Sequence, residues 1–254
     1  MDSSGSSDPG VFPGLAQAIS GWVGEQLIQA GAGGVVLGLS GGIDSAVCAA
    51  LCCRAVGPSA VLALALPCDS EPSDLRDAAR VASDLGLDLR TIVLDRALES
   101  LLTCCGLDRG DRLTVANIKA RLRMTVIYAH SRGRLVVGTG NYAEYLMGYF
   151  TKWGDGACDI MPLGRLFKDE VRRLAEVLGL PGFLLGKEPS AGLWPGQTDE
   201  GDMGVTYDQI RRWAEGGDPG PEAARIMSSL SSAAGHKRGP VPVFEAREWM
   251  VENA

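Results

Sequence analysis

GLSGGIDS, residues 38–45, stands between the apolar run GVVL and the helix-like stretch AVCAALCCRAV. It reads as the turn by which a buried strand becomes a helix. A helix start offers unpaired backbone N–H groups and the positive end of the helix dipole, which together suit an anion. Gly41 and Gly42 let the main chain approach that anion closely, and Ser40 and Ser45 add hydroxyl donors. Asp44 is repelled by an anion unless a cation lies between them, and Mg²⁺ takes one or two carboxylates together with phosphate oxygens and water. The turn therefore reads as a nucleoside triphosphate loop with Mg²⁺ on Asp44. It lacks the Gly-Lys-Ser/Thr of a Walker A loop and the G-x-G-x-x-G of a dinucleotide fold.

Outward from the turn, VVLGL (35–39), AVLALAL (60–66), LRTIVL (89–94) and LVVGT (135–139) are strand-length apolar runs without polar alternation, as expected of parallel strands covered on both faces. Between them 44–55, 73–85, 95–104 and 114–131 carry helical spacing, and 14–30 precedes the first strand. This rhythm predicts an α/β fold with a doubly wound parallel sheet, which binds ligands beyond the carboxyl ends of its strands. SGGIDS, PCDSEPSD and TGNYAE fall there. After about Gly148 the chain becomes a helical and loop-rich C-terminal elaboration. FKDEVRRLAEVLG is amphipathic, helices are expected at 206–215 and 221–234, and 187–204 has no periodicity and reads as a lid. Residues 1–13 are read as a flexible tail and 14–254 as one domain.

Composition narrows the function. The 254 residues are 46% hydrophobic, enough for a large core. No apolar run approaches the roughly 18 to 20 residues of a membrane span. A net charge of −7 without a basic run argues against nucleic-acid binding. Seven cysteines without C-x-x-C spacing, two adjacent pairs among them, read as buried reduced thiols and a cytoplasmic protein.

SGGIDS resembles the pyrophosphate loop (PP-loop) of the N-type ATP pyrophosphatases, whose sheet is of the Rossmann-like, adenine nucleotide alpha-hydrolase-like kind. NIKARLRM (117–124), GTGNYAE (138–144), GYFTKWGDGACDIMPL (148–163), KEPSAGLWPGQTDE (187–200), GVTYDQI (204–210) and GHKR (235–238) are similar, in order and spacing, to the motifs of the NAD synthetase family. The resemblance implies a ligase that amidates deamido-NAD (nicotinic acid adenine dinucleotide) with ammonia through an adenylated intermediate, releasing AMP and pyrophosphate. It implies ATP contacts from Gly38, Leu39, Ser40, Gly41, Gly42, Ile43, Asp44, Ser45, Thr139, Lys168 and Ser190, and Mg²⁺ on Asp44 and Glu144. For deamido-NAD it points to Arg121, Lys152, Asp159, His236 and Lys237, with Asp44, Glu144, Lys152 and Lys168 as the catalytic set. It further implies a homodimer.

Several of these residues also have a local reading. Lys168 stands in the first turn of a helix, where the dipole disfavours a cation, so an offsetting anion such as a triphosphate is expected. Glu144, at a helix start after the fourth strand, can face Asp44 across the carboxyl edge of the sheet. Many family members read GDGGAD where this chain has GDGACD, with Ala157 and Cys158 ahead of Asp159. Only 37 residues precede the loop, so free ammonia is the expected donor unless a separate glutaminase chain supplies it. A GMP synthetase-like or tRNA-modifying pyrophosphatase and a nucleotide sensor without turnover are the alternatives.

Overall fold

The computed structural model describes residues 10–194 and 196–253, without the side chains of Glu248 and Glu252. Residues 1–9, most of the expected tail, lie outside the described residues, and the first helix begins at Val11 rather than at residue 14.

The elements follow the predicted alternation. Helix α1 (Val11–Ala30) leads to β1 (Val35–Gly38), α2 (Ile43–Val56), β2 (Val61–Ala65), α3 (Pro72–Asp84) and β3 (Leu89–Thr91). Helices α4 (Asp95–Cys105) and α5 (Arg112–Ala129) come next, then β4 (Leu135–Val136) and α6 (Tyr142–Met147). The C-terminal part holds α7 (Lys168–Val177), α8 (Phe183–Gly186), α9 (Asp199–Met203), α10 (Tyr207–Ala214), α11 (Pro221–Ala233), α12 (Gly235–Arg238) and α13 (Ala246–Glu252).

The strands form one parallel sheet in the order β3-β2-β1-β4, with Val35 opposite Val61 and Leu135. Successive strand residues point to opposite faces. Accordingly Val35, Leu37, Val61 and Ala63 pack with α1, α2 and α7, while Val36, Leu62 and Leu64 pack with α4 and α5. This two-sided core is the doubly wound arrangement. Helix α2 lies deepest, buried without a break from Ser45 to Cys52, which fixes the loop at its N-terminus to the rigid centre of the molecule. A third apolar cluster, with Met147 of α6, Met203 of α9, Ile210 of α10 and Met227 of α11, fastens the C-terminal elaboration over α6.

Three expectations need correction. LRTIVL and LVVGT form shorter strands than read. β3 is partly exposed rather than covered on both faces, because it is the outer strand and carries Arg90. Its pairing continues irregularly through Ile92 N–H and Leu94 N–H, which donate to Ala65 and Pro67 carbonyls. Beyond β4, Val137 pairs in parallel with Ile160, so the GDGACD segment widens that edge of the sheet. Finally, Cys104 and Cys105 are exposed while Cys48, Cys52 and Cys68 are buried. The buried stripe of α4 is Leu98 and Leu102, and the adjacent cysteines at its end fall off that stripe.

Candidate active site

The turn after β1 is built as an anion cradle. Leu39 anchors its base, buried and donating its N–H to the Leu64 carbonyl at 2.8 Å. Gly41 has φ +81°, and a Cβ there would come within 2.4 Å of the Asp74 carbonyl oxygen, so only glycine fits. Gly42 caps α2, and Ile43 is buried beneath it. Within the turn the serines satisfy the main chain. Ser40 N–H donates to Ser45 Oγ at 3.2 Å, Gly42 N–H donates to Ser40 Oγ at 3.3 Å, and the two hydroxyls are 3.0 Å apart. Ser45 Oγ donates to the Gly42 carbonyl at 3.0 Å. Hydroxyls rotate, so these N–H groups can be handed to a bound anion. Gly38 passes Ile127 closely, a Cβ lying 3.3 Å from Ile127 Cδ1.

Beside the cradle, chain segments far apart in sequence converge. Lys168, at the start of α7 and only 2% exposed, forms a short ion pair with Asp44 of α2. Burial by itself depresses an ammonium, but the carboxylates of Asp44, Glu144 and Asp199 outweigh it and hold Lys168 above its ordinary pKa. In the structure the anion that faces Lys168 is the Asp44 carboxylate.

Glu144 is fixed by a reciprocal cap at the start of α6. Asn141 N–H donates to Glu144 Oε2 at 3.1 Å, and the Asn141 side-chain amide donates to Oε1 at 2.8 Å. Glu144 N–H in turn donates to Asn141 Oδ1 at 3.1 Å. Desolvation first, then the Asp44 carboxylate, push Glu144 up to about 8, with Lys168 opposing. Asp44 and Glu144 are thus electrostatic neighbours at the carboxyl edge of the sheet, with Lys168 acting on both.

Two further residues complete this cluster without having been singled out from the sequence. Asp199, 4% exposed, accepts from the Tyr207 hydroxyl at 2.7 Å, and the same hydroxyl lies 3.5 Å from Glu144 Oε1. Asp199 stands in the stretch without periodicity, so only Thr198, whose hydroxyl caps α9, marked the helix start.

The donor set suits Mg²⁺. Asp44 Oδ1 is buried without a hydrogen-bond partner, a hard oxygen held ready for a cation. No group of three or more His, Cys, Asp or Glu forms a metal cluster among the described residues. Mg²⁺ takes one or two carboxylates and completes its shell from phosphate and water.

The residues assigned to the second substrate are mostly linked to one another. The Arg121 guanidinium donates to the Lys152 carbonyl at 3.3 Å, and Lys152 Nζ donates to the His236 carbonyl at 2.6 Å. Lys237 Nζ donates to the Gly148 and Phe150 carbonyls at 2.7 and 2.8 Å; burial holds it below its ordinary pKa. Arg238, not singled out from the sequence, donates to the Leu146 carbonyl at 2.6 Å and so pins α12 to the end of α6. Trp153, next to Lys152, is 63% exposed with φ +64°, an uncommon backbone state for a bulky residue. Asp159 is engaged elsewhere, accepting from Val136 N–H at 2.8 Å and from the Tyr128 hydroxyl at 3.2 Å. Cys158 packs against Gly138, where a Cβ would come 2.7 Å from its sulfur, so it fills space there.

The 187–204 segment lies over the cradle side of the molecule. Lys187 reaches the Gly41 carbonyl, and the buried Lys119 donates to the Leu193 carbonyl at 2.8 Å. Ser190 is exposed, its hydroxyl accepting from Gly192 N–H at 3.1 Å. Thr139 is partly exposed in the turn after β4.

A sequence model described as NAD synthase matches residues 15–228. An NH(3)-dependent NAD(+) synthetase of Archaeoglobus fulgidus is 40% identical over 245 residues, 93% of this chain and 98% of that one. Another, of Thermococcus kodakarensis, is 46% identical over 193 residues, 75% of each chain. Among solved structures, the NMN synthetase from Francisella tularensis superposes with a TM-score of 0.88 at 38% identity, covering 94% of this chain and 99% of that one. The NH3-dependent NAD synthetase from Campylobacter jejuni gives 0.76 at 29%, covering 92% and 99%.

Proposed function

The chain belongs to the NAD synthase family and is an ammonia-dependent ligase that forms a carbon–nitrogen bond, and we propose that it does so at the cradle and carboxylate cluster described above. A carboxylate cannot be amidated directly, because its oxygen is a poor leaving group. The nicotinate carboxylate of deamido-NAD attacks the α-phosphorus of ATP, breaking the α–β bridge and releasing pyrophosphate. Ammonia then attacks the carbonyl carbon of the acyl-adenylate, AMP leaves with the bonding electrons, and NAD⁺ forms with loss of a proton.

The first step brings anions together, so charge stabilisation is its main demand. The N–H groups of residues 38–45 and the hydroxyls of Ser40 and Ser45 receive the departing pyrophosphate. Lys168 supplies a fixed positive charge beside them, and Thr139 and, from the lid, Ser190 hold the nucleotide. Asp44 and Glu144 would hold Mg²⁺, which supplies Lewis-acid stabilisation of phosphoryl oxygens. Arg121, Lys152, Asp159, His236 and Lys237 bind the dinucleotide. Closure of 187–204 excludes water from the acyl-adenylate. No protein nucleophile is needed. The observation carrying this reading is the convergence of Asp44, Lys168 and Glu144 beside the SGGIDS turn.

We place the reaction in the cytoplasm of a cell and in a homodimer. The absence of a disulfide among the described residues supports the first. Exposed Val243, Phe244 and Val251 support the second, as apolar surface that association would cover. No helix among the described residues is long and apolar enough to cross a membrane.

The test is pyrophosphate release with product analysis. Release that depends jointly on ATP, deamido-NAD, ammonia and Mg²⁺, with NAD⁺ as product, supports the reading; ATP binding without release removes it. The 0.88 superposition on an NMN synthetase favours one second reading, in which the acceptor is the mononucleotide and the product nicotinamide mononucleotide. A higher kcat/KM for nicotinate mononucleotide than for deamido-NAD in the same assay decides for it.

A further inference from the structure

Lys187, at the entrance to the lid, carries an ammonium with three protons and three acceptors. It donates to the Gly41 carbonyl at 3.2 Å, to Asp74 Oδ1 at 2.9 Å and to Asp77 Oδ2 at 2.7 Å. One charge therefore joins the lid, helix α3 and the turn of the cradle. Resemblance to the family gave this lysine no role, and the sequence shows only a lysine before Glu188 and Pro189.

The position of the contact on the loop is what matters. A peptide's carbonyl and the following N–H point in opposite directions across a rigid plane. An ammonium on the Gly41 oxygen therefore fixes and polarises the N–H of Gly42, a donor of the cradle. Within the turn the Ser40 hydroxyl takes the N–H end of that plane at 3.3 Å, and Lys187 holds its carbonyl end, while the left-handed Gly41 packs on the main chain of α3 and carries no side chain of its own. The lid backbone also runs over the same carboxylate, since a Cβ on Gly192 would lie 3.6 Å from Asp74 Oδ2.

We infer that Lys187 is a positioning residue for the pyrophosphate end of ATP: it holds the Gly41 carbonyl so that the cradle N–H groups face the phosphates, and it makes their alignment depend on closure of the 187–204 lid. The inference rests on the reading of residues 38–45 as the pyrophosphate cradle. Lys187 does not touch the phosphates in this arrangement; it acts from the far side of the peptide plane. Its two carboxylate partners keep it charged and in place, while burial opposes them.

The test is calorimetric titration of the full chain with inorganic pyrophosphate and Mg²⁺, for wild type, Lys187→Met and Asp77→Asn, together with KM for each substrate. Loss of a charge-assisted bond that aligns a donor predicts about tenfold weaker pyrophosphate binding in Lys187→Met. KM for ATP rises similarly, and KM for deamido-NAD stays within about twofold. Asp77→Asn loosens the ion pair but spares the Gly41 contact, so its pyrophosphate affinity stays within about twofold of wild type. Where Lys187→Met does not fold, Lys187→Gln, which loses the charge but keeps a donor, is read by the same titration. Wild-type affinity in the Lys187 variant, with only a lowered Tm, overturns the inference and leaves the cradle reading standing. Wild-type protein that does not bind pyrophosphate overturns both. Equal weakening in Asp77→Asn and Lys187→Met overturns it too, since lid anchoring would then be the whole effect.

Discussion

Lys168 and Asp44, 124 residues apart in the chain, meet as an ion pair at the carboxyl edge of the sheet. The pair sets a positive charge beside the cradle, and it keeps a carboxylate with one orphan oxygen beside a second carboxylate. Asp44→Asn removes the charge while keeping the volume. Lys168 retains Glu144 and Asp199 as counter-charges, so the variant folds, with a stability loss of about 1–3 kcal/mol. Turnover falls about a hundredfold or more, because charge stabilisation is lost where pyrophosphate departs. Thermal melts and pyrophosphate release at limiting Mg²⁺ check both parts; undiminished turnover removes Asp44 from the site.

The framework was legible because its signals are local. Four apolar runs, the helices between them and the glycine turn each show within a dozen residues, and the sheet follows from their alternation. Where the reading was too generous, at β3 and β4, the apolar run continued into chain whose pairing is irregular, through single bonds such as Ile92 N–H to the Ala65 carbonyl and the isolated bridge of Val137 to Ile160. The partner of Lys168 left no local trace, since nothing in FKDEVRRL says which distant carboxylate faces it. Asp199 and Lys187 were hidden for a similar reason. They sit at either end of the irregular 187–204 segment, where periodicity gives no face and contacts are made with α3, α6 and α10. Tyr207 stood inside a recognised motif, but its bond to Asp199 needs coordinates.

Gly148 offers a way to disturb the dinucleotide half of the site through α12. Its φ is +64°, and an added Cβ would fall 2.0 Å from Ala234 Cβ, just before α12. Gly148→Ala must push α12 away and with it Lys237, which donates to the Gly148 carbonyl. Overpacking and the left-handed backbone together cost about 2–4 kcal/mol. KM for deamido-NAD should rise about tenfold, as one charge-assisted contact is lost, with KM for ATP within about twofold. The paired change Ala234→Gly returns the space and should recover part of the affinity; unchanged KM in Gly148→Ala removes Lys237 from dinucleotide binding.

The thiols divide sharply. Burial pushes Cys52 up to about 12 and Cys53 up to about 11, and raises Cys48, Cys68 and Cys158 as well, so these stay protonated near neutral pH. Only the thiolate alkylates rapidly. Iodoacetamide at pH 8 should therefore label Cys104 and Cys105, the exposed pair at the end of α4, and leave the other five slow until the protein is unfolded. Peptide mass mapping reads this directly. Rapid labelling of Cys52 in the native protein would mean that α2, and with it the cradle, opens readily.

Asp69 tests the loop after β2 and fixes a pH dependence by its sign. It accepts from Arg109 Nη1 at 2.6 Å and pairs with the buried Lys119 at 3.2 Å. Hydrogen bonding from Arg109 first, opposed by desolvation and aided by Lys119, draws its pKa below the ordinary 3.8. The unfolded chain therefore takes up the proton before the native protein does. The stabilisation is complete above the unfolded value and is lost as pH falls through the lowered native one. Asn keeps the shape and tolerates the left-handed backbone found there, φ +48°, so Asp69→Asn deletes the charge alone. At pH 7 it should destabilise by about 1 kcal/mol, the group being partly exposed. Urea melts should show that gap unchanged between about pH 5 and 8 and closing below about pH 4. A gap that persists to pH 2 would put its origin in the backbone of the turn rather than in the ion pairs that Asp69 makes with Arg109 and Lys119.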